Sequence, residues 1–99
     1  VTAAAELPAR TAHALHALME AWAAMDGSGP LTAAEVCEYD DPEAALTARH
    51  TAAALTHARK RGLASCAPGP DHKWLWLATE RGWALRRALE DRFLAETDS

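Results

Sequence analysis

Apolar residues recur at helical spacing through the first quarter of the chain. Leu15, Leu18, Met19, Trp22 and Met25 make one stripe, which predicts a helix from Pro8 to Met25 with that face turned to a core. The turn-forming run Asp26-Gly27-Ser28-Gly29-Pro30 ends it. Thr32, with Glu35 three residues on, has the form of a capping box. It opens a second helix, Ala33 to about Tyr39, with Val36 and Cys37 as core contacts. Asp40-Asp41-Pro42-Glu43 is the next break. Asp41 suits an N-cap and Pro42 a first helical position, so the third helix starts either at Pro42 or near Thr47. It continues to Arg61. Ala48, Thr51, Ala52, Leu55 and Ala58 fall on one side of it, and Arg49, His50, Ala53, Thr56, His57 and Lys60 on the other. Gly62 stands where a left-handed C-cap residue belongs, followed by the apolar Leu63.

The period then changes from helix to strand. Leu63–Ala67 and Lys73–Ala78 read as the arms of a hairpin whose tip is Pro68-Gly69-Pro70-Asp71-His72. In the second arm Trp74, Trp76 and Ala78 share one face, and Lys73, Leu75 and Leu77 the other. Both faces carry large apolar groups, so one meets the core and the other a partner or a helix. Thr79 is placed to cap a last helix over Glu80–Ala95, with the stripe Leu85, Leu89 and Phe93 and with Arg86, Arg87 and Arg92 outside. The expectation is one domain over residues 1–99, with its core over about 10–95, mainly α with a small β-hairpin.

Composition adds two points. Alanine makes up about a quarter of the 99 residues, which favours helix but supplies little core volume. The large side chains must do most of the burying, and the terminal helices, through Trp22, Leu85, Leu89 and Phe93, supply either dimer contacts that add burial or simply the core, the latter being the better reading for Trp22. The net charge of −4 is unevenly placed. Residues 1–45 carry Arg10 against eight acids. Residues 46–76 carry Arg49, Arg59, Lys60, Arg61 and Lys73 against Asp71 alone. The positive charge thus gathers on the third helix and the hairpin, where phosphate contacts would be made.

Several classes of chemistry find no support. No apolar run approaches the length needed to span a bilayer, and a reduced, cytoplasmic setting fits two cysteines, Cys37 and Cys66, with no paired spacing. Of the two, Cys66 lies nearer positive charge and is the better reactive candidate. No Ser/His/Asp or Cys/His constellation and no phosphate-binding glycine loop stands out, so an enzyme is not expected. His13, His16 and Glu20 could share a helix face, but on an Ala-rich helix they read as solvated polar positions; no metal and no cofactor is expected.

The order helix–helix–helix–strand–wing–strand–helix resembles the winged helix-turn-helix transcriptional regulators of the MarR and PadR kind. The resemblance rests on Leu31-Thr32-Ala33-Ala34-Glu35-Val36, on Thr51–Leu63, and on Trp76-Leu77-Ala78-Thr79-Glu80-Arg81-Gly82, and covers residues 31–95. It implies a homodimer that binds double-stranded DNA, with a recognition helix over about 47–61 in the major groove and a wing over about 64–78. The candidate contacts are Thr47, Arg49, His50, Ala53, Thr56, His57, Arg59 and Lys60 on the helix, and His72 and Lys73 on the wing. Arg49 leads for a base contact, since a guanidinium near the start of such a helix can reach guanine bidentately. Arg59, Lys60 and Lys73 would neutralise phosphates. The alternative is a winged-helix module that binds a protein and little or no DNA, for which the acidic N-terminal half speaks.

Overall fold

The computed structural model describes residues 4–25, 27, 29–38 and 48–98. Helix α1 spans Ala9–Ala24, strand β1 Leu31–Thr32 and helix α2 Ala33–Glu38. Helix α3 spans Ala48–Lys60, and strands β2 and β3 span Ala64–Pro68 and Trp74–Ala78. Helices α4 and α5 span Glu80–Ala84 and Arg86–Asp98. A single 3-10 turn, Ala4–Glu6, precedes α1.

Local hydrogen bonding accounts for most of these limits. The Thr32 backbone N–H donates to Glu35 Oε1 at 3.1 Å, and the Glu35 N–H donates to Thr32 Oγ1 at 3.3 Å. That reciprocal pair is the expected capping box. At the end of α3, Gly62 has φ 77°. The Leu63 N–H donates to the Ala58 carbonyl at 3.0 Å and the Gly62 N–H to the Arg59 carbonyl at 2.9 Å. This is a Schellman closure, and glycine meets its left-handed φ without a Cβ penalty. Thr79 then ties the parts together. Its Oγ1 donates to the Gly62 carbonyl at 2.7 Å and accepts the Gly82 N–H at 3.2 Å.

The sheet departs from the expected two-stranded hairpin. Its order is β1-β3-β2, all antiparallel, with Leu31 opposite Trp76 and Thr32 opposite Leu75. A two-residue strand is too short to show alternation in sequence; it forms because Leu31, 2% exposed, packs into the core beside Trp76. The hairpin itself pairs Ala64 with Ala78 through Pro68 with Trp74. Its tip turns through Asp71 at φ 58°, ψ 31°, a left-handed conformation that Asp tolerates better than most residues.

The last helix is also not the expected single rod over Glu80–Ala95. It breaks at Leu85, whose N–H donates to the Gly82 carbonyl at 3.1 Å and whose φ and ψ are −88° and −6°. Two anchors pull in different directions. Helix α4 is held against Leu63 through Thr79 and Gly82, where a Cβ on Gly82 would run into the Leu63 carbonyl oxygen. Helix α5 is held along α1, through buried Leu89 and through Arg92, whose guanidinium donates to the Leu7 carbonyl at 2.9 Å.

The core collects Leu15, Leu18 and Met19 of α1, Val36 of α2, Leu55 of α3, Trp76 of β3 and Leu89 of α5. On α3 the buried side is Thr51, Ala54, Leu55 and Ala58. Ala48, expected inside, is exposed at the helix start, and Ala54 takes a core place instead. At the far end of α1, Trp22 and Trp83 meet edge to face at 5.4 Å between centroids. Mainly helical, with one small antiparallel sheet at the wing, the molecule is a winged helix.

Candidate nucleic-acid interface

Because the buried side of α3 is fixed by Thr51, Leu55 and Ala58, its opposite side must face solvent. Arg49, His50, Ala53, His57, Arg59 and Lys60 are all exposed there. Lys73, at the base of the wing, is exposed as well. Arg49, Arg59, Lys60 and Lys73 have no ion-pair partner among the described residues. Thr47 and the side chain of His72 lie outside the described residues, as do the two alternative starts of the third helix.

Two of the candidate groups have local partners that narrow their chemistry. The Thr56 hydroxyl donates to the Ala52 carbonyl at 2.8 Å, so toward a ligand it can only accept. Arg61 Nε donates to His57 Nε2 at 3.0 Å. In the neutral ring this leaves His57 Nδ1–H as the available donor.

Trp74 is the residue at this surface that the sequence left open. It shares a face with buried Trp76 but lies one pleat nearer the wing tip, and it is 55% exposed. Beside it runs an apolar groove of about 270 Å³, lined by Thr32, Ala33, Ala34, Ala52, Lys73, Trp74 and Trp76. An exposed Trp next to an exposed Lys, one groove away from α3, widens the candidate interface beyond the charged positions. The signal in sequence was the excess of large apolar groups on both faces of β3.

The residues expected at a dimer contact divide. Leu89 is fully buried in the core cluster of the chain and unavailable to a second copy. Trp22, Leu85 and Phe93 are partly buried against the core. Phe93 stacks on His13 with centroids 4.3 Å apart and planes at 7°. Leu94, which the stripe did not include, is 63% exposed. No helix among the described residues is long and apolar enough to cross a membrane.

No protein-family model matches the chain, and no curated protein matches it. Solved structures do. The chain is similar to the crystal structure of MepR, a transcription regulator of the Staphylococcus aureus multidrug efflux pump MepA, at 15% identity and a TM-score of 0.61. That match covers 94% of this chain and 62% of MepR. It is also similar to the MarR family transcription regulator SP03579, at 17% identity and a TM-score of 0.54, over 86% of this chain and 53% of the other. The chain thus spans between half and two thirds of the length of these neighbours. At such identities the likeness shows the fold, a MarR-like winged helix.

Proposed function

We propose that the chain is a DNA-binding transcriptional regulator that reads duplex DNA with α3 in the major groove and sets the β2–β3 wing on the flanking backbone, acting as a homodimer. The observation that carries this reading is the outward side of α3, where Arg49, Arg59 and Lys60 stand exposed beside small Ala53, with exposed Lys73 lining the groove that Ala52 of α3 also borders. Arg49 is exposed in the first turn of α3, where a guanidinium can pair with O6 and N7 of guanine. Ala53 lets the helix approach the base edges. Thr56, limited to accepting, suits an amino group of adenine or cytosine. Arg59, Lys60 and Lys73 neutralise phosphates and position the protein without reading sequence. Both structural neighbours are transcription regulators and not enzymes, which supports a regulatory rather than a catalytic role.

The homodimer reading is supported by the end of α5. Leu94 projects into solvent, and with Phe93, His16 and Glu90 it borders an open groove of about 360 Å³. A second copy meeting this face would cover Leu94 and add the burial that an Ala-rich core lacks.

Selection from a random duplex-DNA library tests the proposal. The expected result is an enriched motif with two-fold symmetry, since symmetric dimers read inverted half-sites. Failure to retain any DNA at low salt would overturn it and favour a protein-interaction module, for which exposed Trp74 and Leu94 would be the contacts.

A further inference from the structure

Away from α3, the seam between α1 and α5 holds a cluster that the DNA reading does not use. His16 and Glu20 lie one turn apart on α1, and Glu90 reaches them from α5. We propose that His16, Glu20 and Glu90 form a site for a divalent transition-metal ion of the zinc class.

The donor set is one imidazole nitrogen and two carboxylates, which suits zinc and its neighbours better than calcium or magnesium. His16 Nε2 lies 3.6 Å from Glu20 Oε1 and 3.5 Å from Glu90 Oε1, and one ligand atom from each residue falls within 4.8 Å of the others. Ligands about 2.0–2.2 Å from a tetrahedral zinc ion stand roughly 3.3–3.6 Å apart. The two His–carboxylate separations already match the edges of that polyhedron, and a small rotation of either Glu would close the third.

Two independent features point to an occupant. His16 Nε2 is buried and makes no hydrogen bond. Its two carboxylate neighbours stand at 3.5 and 3.6 Å, and a buried ring nitrogen that makes no hydrogen bond is disfavoured unless something binds it. The groove of about 360 Å³ that borders Leu94 also reaches His16 and Glu90, giving an ion its path in the single chain, before a second copy covers that face. His13, which the spacing on α1 also suggested, is committed to its stack on Phe93. Among the described residues this is the one group of three such side chains.

Arg86 now bridges the two carboxylates, at 2.9 Å to Glu20 and 3.3 Å to Glu90. In the same conformation its guanidinium carbon lies 5.5 Å from the Trp83 ring centroid, a contact that can keep Arg86 at that face when a metal takes the carboxylates. Arg86 is thus a displaceable counter-ion that lowers the affinity of the site. Because ligands come from both helices, binding fastens α5 to α1.

The test is titration of the full chain with zinc chloride, followed by calorimetry and by the shift in thermal midpoint. One-to-one binding is expected, weakened about tenfold or more in His16→Gln and in Glu90→Gln, with the midpoint of each no longer raised by zinc. Arg86→Ala should bind more tightly than the parent. A His50→Ala/His57→Ala variant, altered only on α3, should bind like the parent. Helical circular dichroism checks that each variant is folded. Absence of saturable binding, undiminished affinity in His16→Gln and Glu90→Gln, or equal or weaker affinity in Arg86→Ala would overturn the proposal, leaving the cluster as a salt-bridge network only. None of these outcomes depends on DNA binding.

Discussion

At the scale of single residues, the two most informative positions are Arg49 and Gly82, and they act for different reasons. Arg49 is exposed and contributes nothing visible to packing, so its loss should be silent in stability and expressed in recognition. Arg49→Ala is expected to weaken binding to the selected duplex by about 1–3 kcal/mol while leaving non-specific DNA nearly unaffected. An equal loss on every sequence, measured by competition titration, would make it a phosphate contact. Gly82 is the reverse case. It is buried where α4 passes the end of α3, and an added methyl meets the Leu63 carbonyl oxygen and, at 3.4 Å, Leu15 Cδ1. Gly82→Ala should therefore destabilise by about 1–3 kcal/mol, as an overpacked site does, in spite of alanine's better helix propensity. Chemical denaturation measures it, and a neutral or stabilising result would contradict the close approach.

At the scale of elements, what the sequence made legible was what short-range chemistry decides. The Thr32–Glu35 box, the Gly62–Leu63 closure and the Thr79 cap each have both partners within a few residues, so their spacing carries the signal. What it hid depends on distant partners. Strand β1 is two residues long and exists only because Trp76 and Leu75 stand opposite. The bend at Leu85 comes from anchors on Leu63 and on α1, neither of which is near it in sequence. On α5 Leu89 is fully buried and Leu94 is 63% exposed. The dimer contact follows from this correction: Leu94→Glu should yield a monomer by sedimentation at concentrations where the parent is a dimer. A parent that is already monomeric at high concentration, or a variant that still dimerises, would remove this face from consideration.

For the whole molecule, the division of charge was readable, and the cluster on the α1–α5 seam only in part, since His16 and Glu20 stood out on one helix and Glu90 did not. Counting Arg and Lys along the chain locates the basic helix and wing, and those positions are exposed. By contrast, Glu90 joins His16 and Glu20 only through the packing of α5 on α1, so no spacing on one helix could announce it. Trp74 lies between these cases, since β3 showed an excess of apolar groups without showing which would stay outside. The central claim is that the α3 and wing surface binds duplex DNA through its exposed cations. The most direct measurement is fluorescence-anisotropy titration of a short duplex across a range of salt concentrations. Three phosphate contacts from Arg59, Lys60 and Lys73 give a slope of log K against log salt of about −2.7 for one protomer and about −5.4 for a dimer. A steep slope in that range, made shallower by Lys60→Gln and Lys73→Gln, is the expected result. No binding at the lowest salt, or a slope that those two changes leave untouched, would contradict the account.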